Sequence, residues 1–188
     1  MRCFLAVPLR EPGLAVAQRT LQRLQRDIAD VRWTRPETLH ITVHFFGWID
    51  DDRVRQGVDA VRPIVVETSP FTLTLDRLGQ FPDRGRPRVL WLGGSKASDE
   101  LTALAVATRE ALGSAGFAVE ERSFRAHCTL GRTRDTWTLE ARDRWHAVCQ
   151  EPMDAAAFTA DCLVLYESVT GRGGAIYMER VALPFVAR

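Results

Sequence analysis

The sequence has few cysteines, a single lysine and no long apolar run, and these shortages exclude several classes of protein. Its four cysteines, Cys3, Cys128, Cys149 and Cys162, form no Cys-x-x-Cys pair, so neither a disulfide framework nor a zinc site is indicated. No stretch approaches the ~20 apolar residues of a membrane span. The first apolar run stops at Arg10 without a cleavage site. The sequence therefore predicts a cytoplasmic protein with reduced thiols and no membrane partner.

Charge is nearly balanced, which argues against binding along a nucleic-acid duplex. The 188 residues carry a net charge of +1, and Lys96 is the only lysine among 25 basic residues. The arginine excess fits a GC-rich genome, although guanidinium groups also suit phosphate oxygens. A local cluster is still enough to bind a nucleic-acid end. The loop with Arg84, Arg86 and Arg88 is either a solvated loop or a contact for an RNA strand.

Strand-like and helix-like segments alternate along the chain. Apolar residues at three- and four-residue spacing predict helices over 13–29, from Asp50 to a bend or end at Pro63, over 98–112 and near 138–148. Two-residue alternation or short apolar runs predict strands over 2–9, 38–46, 70–78, 89–94, 117–122, 125–132, 158–167 and 175–183. Loops are expected at 79–88 and 168–175, and the last two strands read as a hairpin.

This order indicates an α+β fold with largely antiparallel sheets. No Gly/Ser-rich linker divides the chain, so we expect a single domain over 1–188. A helix followed by a His-x-Thr strand occurs twice, half a chain apart, which suggests a duplicated lobe facing its copy.

The two His-x-Thr strands hold the residues of greatest chemical interest. They are "LHITVHFF" at 39–46 and "AHCTL" at 126–130. Alternate residues of a strand share a face, so His40 and Thr42 point together, as do His127 and Thr129. By the same alternation, His44 and Phe46 are expected on the face of His40.

Two imidazoles and two hydroxyls suit phosphodiester chemistry. One neutral histidine can take a proton from a nucleophile, and one protonated histidine can give a proton to a leaving group. The hydroxyls can donate hydrogen bonds to an anionic centre, and no metal or cofactor is required. In a strand His44 lies roughly 13 Å from His40, too far to share a metal ion, so we interpret it as a rim residue. Phe46 is a candidate for stacking on a nucleobase or for internal packing.

Two His-x-Thr motifs at this separation resemble those of the two-histidine (2H) phosphoesterase superfamily. The flanking segments "RCFLAVPL", "WTRPETLHITVHFFG", "FPDRGRPRVLWLG", "FRAHCTLGR" and "LYESVTGRGGAIYMERVAL" are similar to the RNA 2′,3′-cyclic phosphodiesterases, also called the 2′-5′ RNA ligase family. The resemblance covers the whole chain in order. It implies a bilobal fold in which two pseudo-symmetric, mostly antiparallel sheets, with helices outside, flank a central cleft. The two lobes would be intertwined within one domain.

The resemblance also implies a reaction and roles. A terminal 2′,3′-cyclic phosphate on RNA, or on a cyclic nucleotide, would be hydrolysed to a 2′-phosphomonoester, and reversal would give a 2′-5′ ligase. His40 would be the proton donor and His127 the proton acceptor. Thr42 and Thr129 would hold phosphate oxygens, and Arg132 would contact phosphate or a base.

Other functions remain open at this point. They are a 2H phosphodiesterase for another cyclic or 2′-5′ nucleotide, a non-catalytic RNA-end binding module and, least supported by the residues, a metallohydrolase. We expect a monomer without cofactor, and the sequence identifies neither the physiological RNA nor the balance of hydrolysis and ligation.

Overall fold

The structure is a computed structural model that describes residues 1–171 and 174–186. Within these ranges the helices are α1 (Gly13–Asp27), α2 (Asp51–Glu67), α3 (Asp99–Ser114) and α4 (Leu139–Gln150), with a 3-10 turn at Pro36–Thr38. The strands are β1 (Arg2–Pro8), β2 (Val31–Trp33), β3 (His40–Trp48), β4 (Phe71–Leu75), β5 (Arg77–Phe81), β6 (Val89–Gly93), β7 (Cys128–Thr133), β8 (Ala156–Ala160), β9 (Cys162–Gly171) and β10 (Gly174–Pro184).

Two antiparallel sheets organise these strands, which confirms the predicted α+β class. The large sheet has the order β10-β9-β1-β3-β7-β6-β5, with β2 also paired to β7, and the small sheet pairs β4 with β8. We call β1, β3, β9 and β10 the first half-sheet and β2, β5, β6 and β7 the second. The two half-sheets are joined at one residue pair, Ile41 of β3 with Cys128 of β7. The His-x-Thr strands are therefore neighbours at this junction.

The helices connect the half-sheets as well as covering them. Helix α1 follows β1 of the first half-sheet but contacts β2 of the second half-sheet, together with β4 and β8. Helix α2 contacts β9, β10 and α3, and α4 contacts β5. None of these four helices, as far as the chain is described, combines the length and apolar composition needed to cross a membrane.

Side-chain caps explain where three of the helices begin. Asp50, Ser98 and Thr138 accept hydrogen bonds from backbone N–H groups three residues ahead, which satisfies donors that the first helical turn leaves free. Helix α2 continues through Pro63 to Glu67, so the helix does not end at this proline.

Several element boundaries differ from those predicted. The predicted strands 70–78 and 158–167 are each divided in two, and Gly79–Phe81 belongs to β5 rather than to a loop. The predicted strand 117–122 is wrong, because this segment is irregular after a turn at Gly116. The predicted loop 168–175 is mostly hairpin, since β9 runs to Gly171 and β10 begins at Gly174, while its positions 172–173 lie outside the described residues.

The cysteines lie in the interior, as their dispersed positions indicate. Cys3, Cys128 and Cys162 are buried, Cys149 is half-buried, and all four are free thiols. Burial raises the pKa of the Cys128 thiol to about 12, so this residue behaves as a small apolar side chain at the centre of the sheet.

Candidate active site

Both His-x-Thr pairs lie at the junction of the half-sheets. Ile41 and Cys128, the paired residues, are buried in the core. An antiparallel register extended by one residue on either side of this pair sets His40 across from Thr129 and Thr42 across from His127. The four side chains share one side of the large sheet, which we call the motif face. This arrangement follows from the pairing of Ile41 with Cys128 and from the alternation that the sequence predicts for these four residues.

The two imidazoles are oriented by the same kind of hydrogen bond. Nδ1 of His40 lies 2.7 Å from the carbonyl oxygen of Thr38, and Nδ1 of His127 lies 2.7 Å from that of Arg125. A carbonyl only accepts, so each Nδ1 carries a hydrogen and donates it. In the neutral ring the lone pair is then on Nε2. For His40 this atom is 3.0 Å from Oγ1 of Thr42.

Aromatic rings surround His40. Its ring centroid is 4.8 Å from that of Phe4 and 5.2 Å from that of Tyr177, which meets it edge-on. Tyr166 is stacked on Phe4 behind it. Burial lowers the pKa of His40 below its ordinary value, and the charge of His127 lowers it further. The strand register also brings the two imidazoles near each other, because His40 and His127 are the chain neighbours of the paired residues Ile41 and Cys128.

Arginines surround His127. Arg125 lies over the Phe81 ring, and Phe81 meets the His127 imidazole edge-on at 4.9 Å. Two hydrogen bonds to Asp83 hold the Arg125 guanidinium in place. Burial lowers the pKa of His127, and the charges of Arg132 and Arg125 lower it further. These two arginine charges favour the neutral form of His127, and among the described residues no arginine charge acts on His40.

A β-bulge follows each motif threonine and changes which residues return to the motif face. In β3 the register with β1 passes from Thr42 to His44 and leaves Val43 unpaired. In β7 the register with β6 passes from Thr129 to Gly131 and leaves Leu130 unpaired. Because one extra residue reverses the alternation, the fifth residue after each histidine returns to the motif face.

These fifth residues are Phe45 after His40 and Arg132 after His127. Phe45 is 60% exposed and its ring centroid is 5.7 Å from that of Phe4, which itself contacts His40. Arg132 is exposed, and its charge acts on both His127 and Tyr177. The structure thus places the predicted Arg132 beside the motif face and adds Phe45, which strict alternation would put in the core.

The same bulge overturns the predicted placement of Phe46 and His44. Phe46 lies on the opposite side of the sheet, 4.8 Å from His44 and 5.2 Å from Phe117 between ring centroids, so it cannot line the same surface as His40. His44 is only 7% exposed and is not a rim residue. Its Nε2 is buried without a hydrogen-bond partner among the described residues, and burial lowers the pKa of His44 to about 4.

An arginine-rich groove continues from the site along the second half-sheet. It has a volume of about 830 Å³, and Phe81 and Arg132 belong to its lining together with Arg86 and Arg88. Arg84 is exposed outside this lining. Over 1–171 and 174–186, no group of three or more His, Cys, Asp or Glu side chains has the arrangement of a metal site.

Solved structures of known proteins share this architecture. The crystal structure of LigT from E. coli in complex with 3′-AMP superposes with a TM-score of 0.78 at 23% identity, over 98% of this chain and 97% of that one. The TT0787 protein of Thermus thermophilus has the same TM-score at 20% identity, over 100% and 99% of the two chains. The described part of this chain therefore has the same fold class as these two proteins.

Sequence comparison narrows this class to a family. The model of the LigT like Phosphoesterase family matches residues 14–91. The RNA 2′,3′-cyclic phosphodiesterase of Archaeoglobus fulgidus is 32% identical over 134 residues, 71% of this chain and 73% of that protein. That of Bacillus subtilis is 32% identical over 137 residues, 73% and 72% of the two chains. This chain belongs to the LigT-like phosphoesterase family and is a phosphoesterase.

Proposed function

We propose that this protein hydrolyses the 2′,3′-cyclic phosphodiester at an RNA end, or on a cyclic nucleotide, to a 2′-phosphomonoester. The observation that carries this proposal is the pair of imidazoles whose Nδ1–H groups are both held by backbone carbonyls at the junction of the half-sheets. That arrangement leaves two Nε2 atoms for proton transfer. The names of the relatives from A. fulgidus and B. subtilis supply the substrate class.

The reaction needs one proton acceptor and one proton donor. Nε2 of His127 takes a proton from water as the water oxygen attacks phosphorus. The bond from phosphorus to the 3′ oxygen breaks, and Nε2–H of His40 gives its proton to that oxygen. The product keeps the bond from phosphorus to the 2′ oxygen. One water is consumed, and the two histidines exchange protonation states until solvent restores them, so this step requires no metal ion.

The surroundings of the two histidines support this division of roles. Arg132 and Arg125 favour the neutral form of His127, which is the form a base needs. Among the residues that the structure describes, no arginine charge acts on the pKa of His40, whose ring lies against that of Phe4. Aromatic faces are favourable neighbours of a cation. The negative charge of a bound phosphate then favours the protonated, proton-donating form of His40.

The remaining groups bind the phosphate and the base. Thr42 and Thr129 flank the two imidazoles, so their hydroxyls can donate to the non-bridging phosphate oxygens. Arg132 supplies positive charge beside His127. Phe45 offers an exposed ring for stacking on the terminal nucleobase, which is the role the sequence assigned to Phe46.

The decisive experiment is product analysis on an RNA oligonucleotide with a 2′,3′-cyclic phosphate end. We expect a 2′-phosphate product, undiminished by a metal chelator, and a fall in kcat of about 10²- to 10⁴-fold in His40→Ala and in His127→Ala. The control is His146→Ala, a change of an exposed histidine on α4. A 3′-phosphate product would overturn the acid and base roles, and full activity in either variant would overturn the site.

The same groups can act with the 5′-hydroxyl of a second RNA strand in place of water. His127 would then take the proton of that hydroxyl as its oxygen attacks phosphorus, His40 would protonate the departing 3′ oxygen, and the product would be a 2′-5′ linkage. Supplying a 5′-hydroxyl strand at high concentration and searching for the joined product tests this activity. Tight binding of the cyclic end without turnover would instead identify an RNA-end binding module.

We also propose that one chain is the active unit and that it works in the cytoplasm. Both motifs come from the same chain and meet across one backbone pair, so no second copy is needed to complete the site. The four free thiols fit a reducing compartment. Sedimentation should give a monomer whose activity per chain is independent of protein concentration.

A further inference from the structure

The groove beside His127 concentrates positive charge on a protein whose total charge is almost zero. Its lining includes Arg32, Arg86, Arg88, Arg122 and Arg132 and a single carboxylate, Asp135. The whole chain has a net charge of only +1. The positive charge of the groove is therefore a local feature and does not reflect the charge of the protein as a whole.

Within the groove, strand pairing places two arginines directly side by side. Arg32 of β2 and Arg132 of β7 are register partners, and Val89 of β6 lies on the other side of Arg132. Like charges opposite each other destabilise a sheet. Among the residues that the structure describes, the side chains of Arg32, Arg88 and Arg132 make no hydrogen bond or ion pair that would offset this repulsion. Guanidinium groups suit phosphate oxygens, so a bound phosphate would relieve this repulsion.

Hydrogen bonds to the backbone tie together the segments that carry these arginines. The carbonyl oxygen of Arg88 accepts from the N–H of Thr133, and the N–H of Arg88 donates to the carbonyl of Phe81. Arg86 donates to the carbonyl oxygen of Arg134. The guanidinium groups therefore extend from the ordered strands β2 and β7 and from a loop that is itself tied to β7.

The groove and the candidate active site share two residues. Phe81 lines the groove and also contacts the His127 imidazole. Arg132 lines the groove and also acts on the pKa of His127. A phosphate held between the two histidines would thus lie beside this groove.

We propose that this groove binds the backbone phosphates of the RNA strand that precedes the terminal cyclic nucleotide. The proposal rests on the proposed function and deepens it, because it makes an oligonucleotide, rather than a mononucleotide, the preferred substrate. Guanidinium groups in a row neutralise successive phosphates without reading the bases, so the preference is for chain length and not for sequence.

The test compares kcat/KM on 2′,3′-cyclic AMP with kcat/KM on a hexaribonucleotide that ends in the same cyclic nucleotide. Arg32→Gln and Arg88→Gln should each lower the oligonucleotide value about threefold to tenfold more than the mononucleotide value. Each change should also reduce the salt dependence of the oligonucleotide value by roughly 0.7 in the log–log slope. The matched control is Arg62→Gln, which removes the same charge from the exposed side of α2.

Stability separates a binding role from a structural one. Because Arg32 faces Arg132, Arg32→Gln relieves repulsion, and its Tm should be equal to or above that of the wild type. A lower Tm together with equal losses on both substrates would make Arg32 a structural residue and would overturn the proposal.

A binding assay keeps this inference distinct from the proposed function. Fluorescence anisotropy with a labelled hexaribonucleotide bearing a 2′-phosphate end needs no turnover. If the wild type hydrolyses neither substrate but Arg32→Gln and Arg88→Gln still weaken binding at least threefold, RNA binding by the groove is supported and the proposed reaction is wrong. If Arg62→Gln weakens binding equally, or if inorganic tripolyphosphate displaces the RNA as well as RNA does, the groove is a non-specific anion site and the proposal is wrong.

Discussion

His40 and His127 have matching hydrogen bonds but different neighbours, and this difference can be measured. Each Nδ1–H donates to a carbonyl two residues earlier in the chain, so both rings are held in one tautomer. Aromatic rings surround one imidazole, and arginines lie near the other. Proton transfer in a fixed direction requires such an asymmetry, because two identical imidazoles would have no preferred roles.

The pH dependence of turnover should reflect the lowered pKa values. The proposed reaction needs His40 protonated and His127 neutral, and burial lowers the pKa of both below the ordinary 6.5. Above pH 6.5 His40 loses its proton, so kcat/KM should be greatest below pH 6.5 and fall about tenfold per pH unit above it. The measurement is kcat and kcat/KM across the pH range, and a kcat/KM value that stays constant up to about pH 8.5 would contradict the prediction.

His44 should make the protein sensitive to mild acid. Burial lowers the pKa of His44 to about 4 in the folded protein, below the ordinary 6.5. As pH falls below 6.5, the unfolded chain takes up a proton that the folded protein does not. The free energy of unfolding should therefore drop by up to about 3 kcal/mol as pH falls from 6.5 toward 4.

Urea unfolding of the wild type and of His44→Leu at a series of pH values tests this prediction. The leucine variant removes the unpartnered Nε2 and should lose less stability in acid than the wild type. His40 and His127 contribute equally to both proteins, so their effects cancel in the difference. His146→Leu should follow the wild type, and identical acid sensitivity in all three proteins would disprove the role of His44.

Much of the residue-scale chemistry is predictable from the sequence, because His-x-Thr in an alternating strand is a local pattern. The hydrogen bonds from Nδ1 to backbone carbonyls cannot be predicted from the sequence, since they depend on how the chain enters β3 and β7. The sequence also does not predict that Tyr166 and Tyr177 lie near His40, because β9 and β10 bring them there from the far end of the chain.

At the scale of elements, the two β-bulges explain why the residues predicted to share the face of His40 differ from those that the structure places there. Alternation assigns faces correctly up to Thr42 and Thr129, where one unpaired residue reverses the pattern. A bulge depends on pairing with a neighbouring strand, so it cannot be recognised from the hydrophobic periodicity of its own strand. The same limit explains the predicted strand 117–122, whose apolar residues 117–119 find no partner among the described strands.

Strand β2 has three residues, which is too short for its periodicity to be recognised in the sequence. Because β2 is not predicted, the sequence also gives no reason to single out Arg32. This arginine becomes notable only when β2 is paired with β7 and Arg132 lies opposite.

The pairing of β5 with β6 gives a prediction at this scale. Gly79 lies opposite Trp91, and an alanine Cβ there would overlap the indole ring, with Cε2 at 2.6 Å. Trp91 contacts Phe81, which contacts His127, so displacing the indole disturbs the site as well as the packing. Gly79→Ala should lower the free energy of unfolding by about 1–3 kcal/mol and reduce kcat.

The comparison is Gly113→Ala in α3, where the nearest atom to a new Cβ is 3.8 Å away on Val119. This helical change should leave activity intact and raise stability by up to about 1 kcal/mol. Urea unfolding and turnover of both variants give the result. Wild-type stability and kcat in Gly79→Ala would show that Trp91 does not hold Phe81.

For the whole molecule, the main feature is how little backbone joins the half-sheets and how much chain crosses between them. One residue pair connects β3 to β7, yet α1 leaves the first half-sheet and contacts β2 of the second. We therefore propose one intertwined domain over 1–188, as the sequence predicts, in which neither half-sheet is stable without the other.

Native-state hydrogen exchange tests this proposal. The slowest amides of β9 in the first half-sheet and of β6 in the second should open with the same free energy, because both require global unfolding. Ile41→Ala, which leaves a cavity at the junction, should lower both by about 2–4 kcal/mol. Opening of one half-sheet at a distinctly lower free energy would show two independent units.

The bulges also define what a protein engineer would have to copy. A graft that carries only His-x-Thr into a regular strand would deliver the imidazole and the hydroxyl but would turn the fifth residue toward the core. The transferable unit runs from the carbonyl that orients Nδ1, two residues before the histidine, to the residue that the bulge returns to the surface. In this chain those units are 38–45 and 125–132, each eight residues long and each dependent on a neighbouring strand that accepts the extra residue.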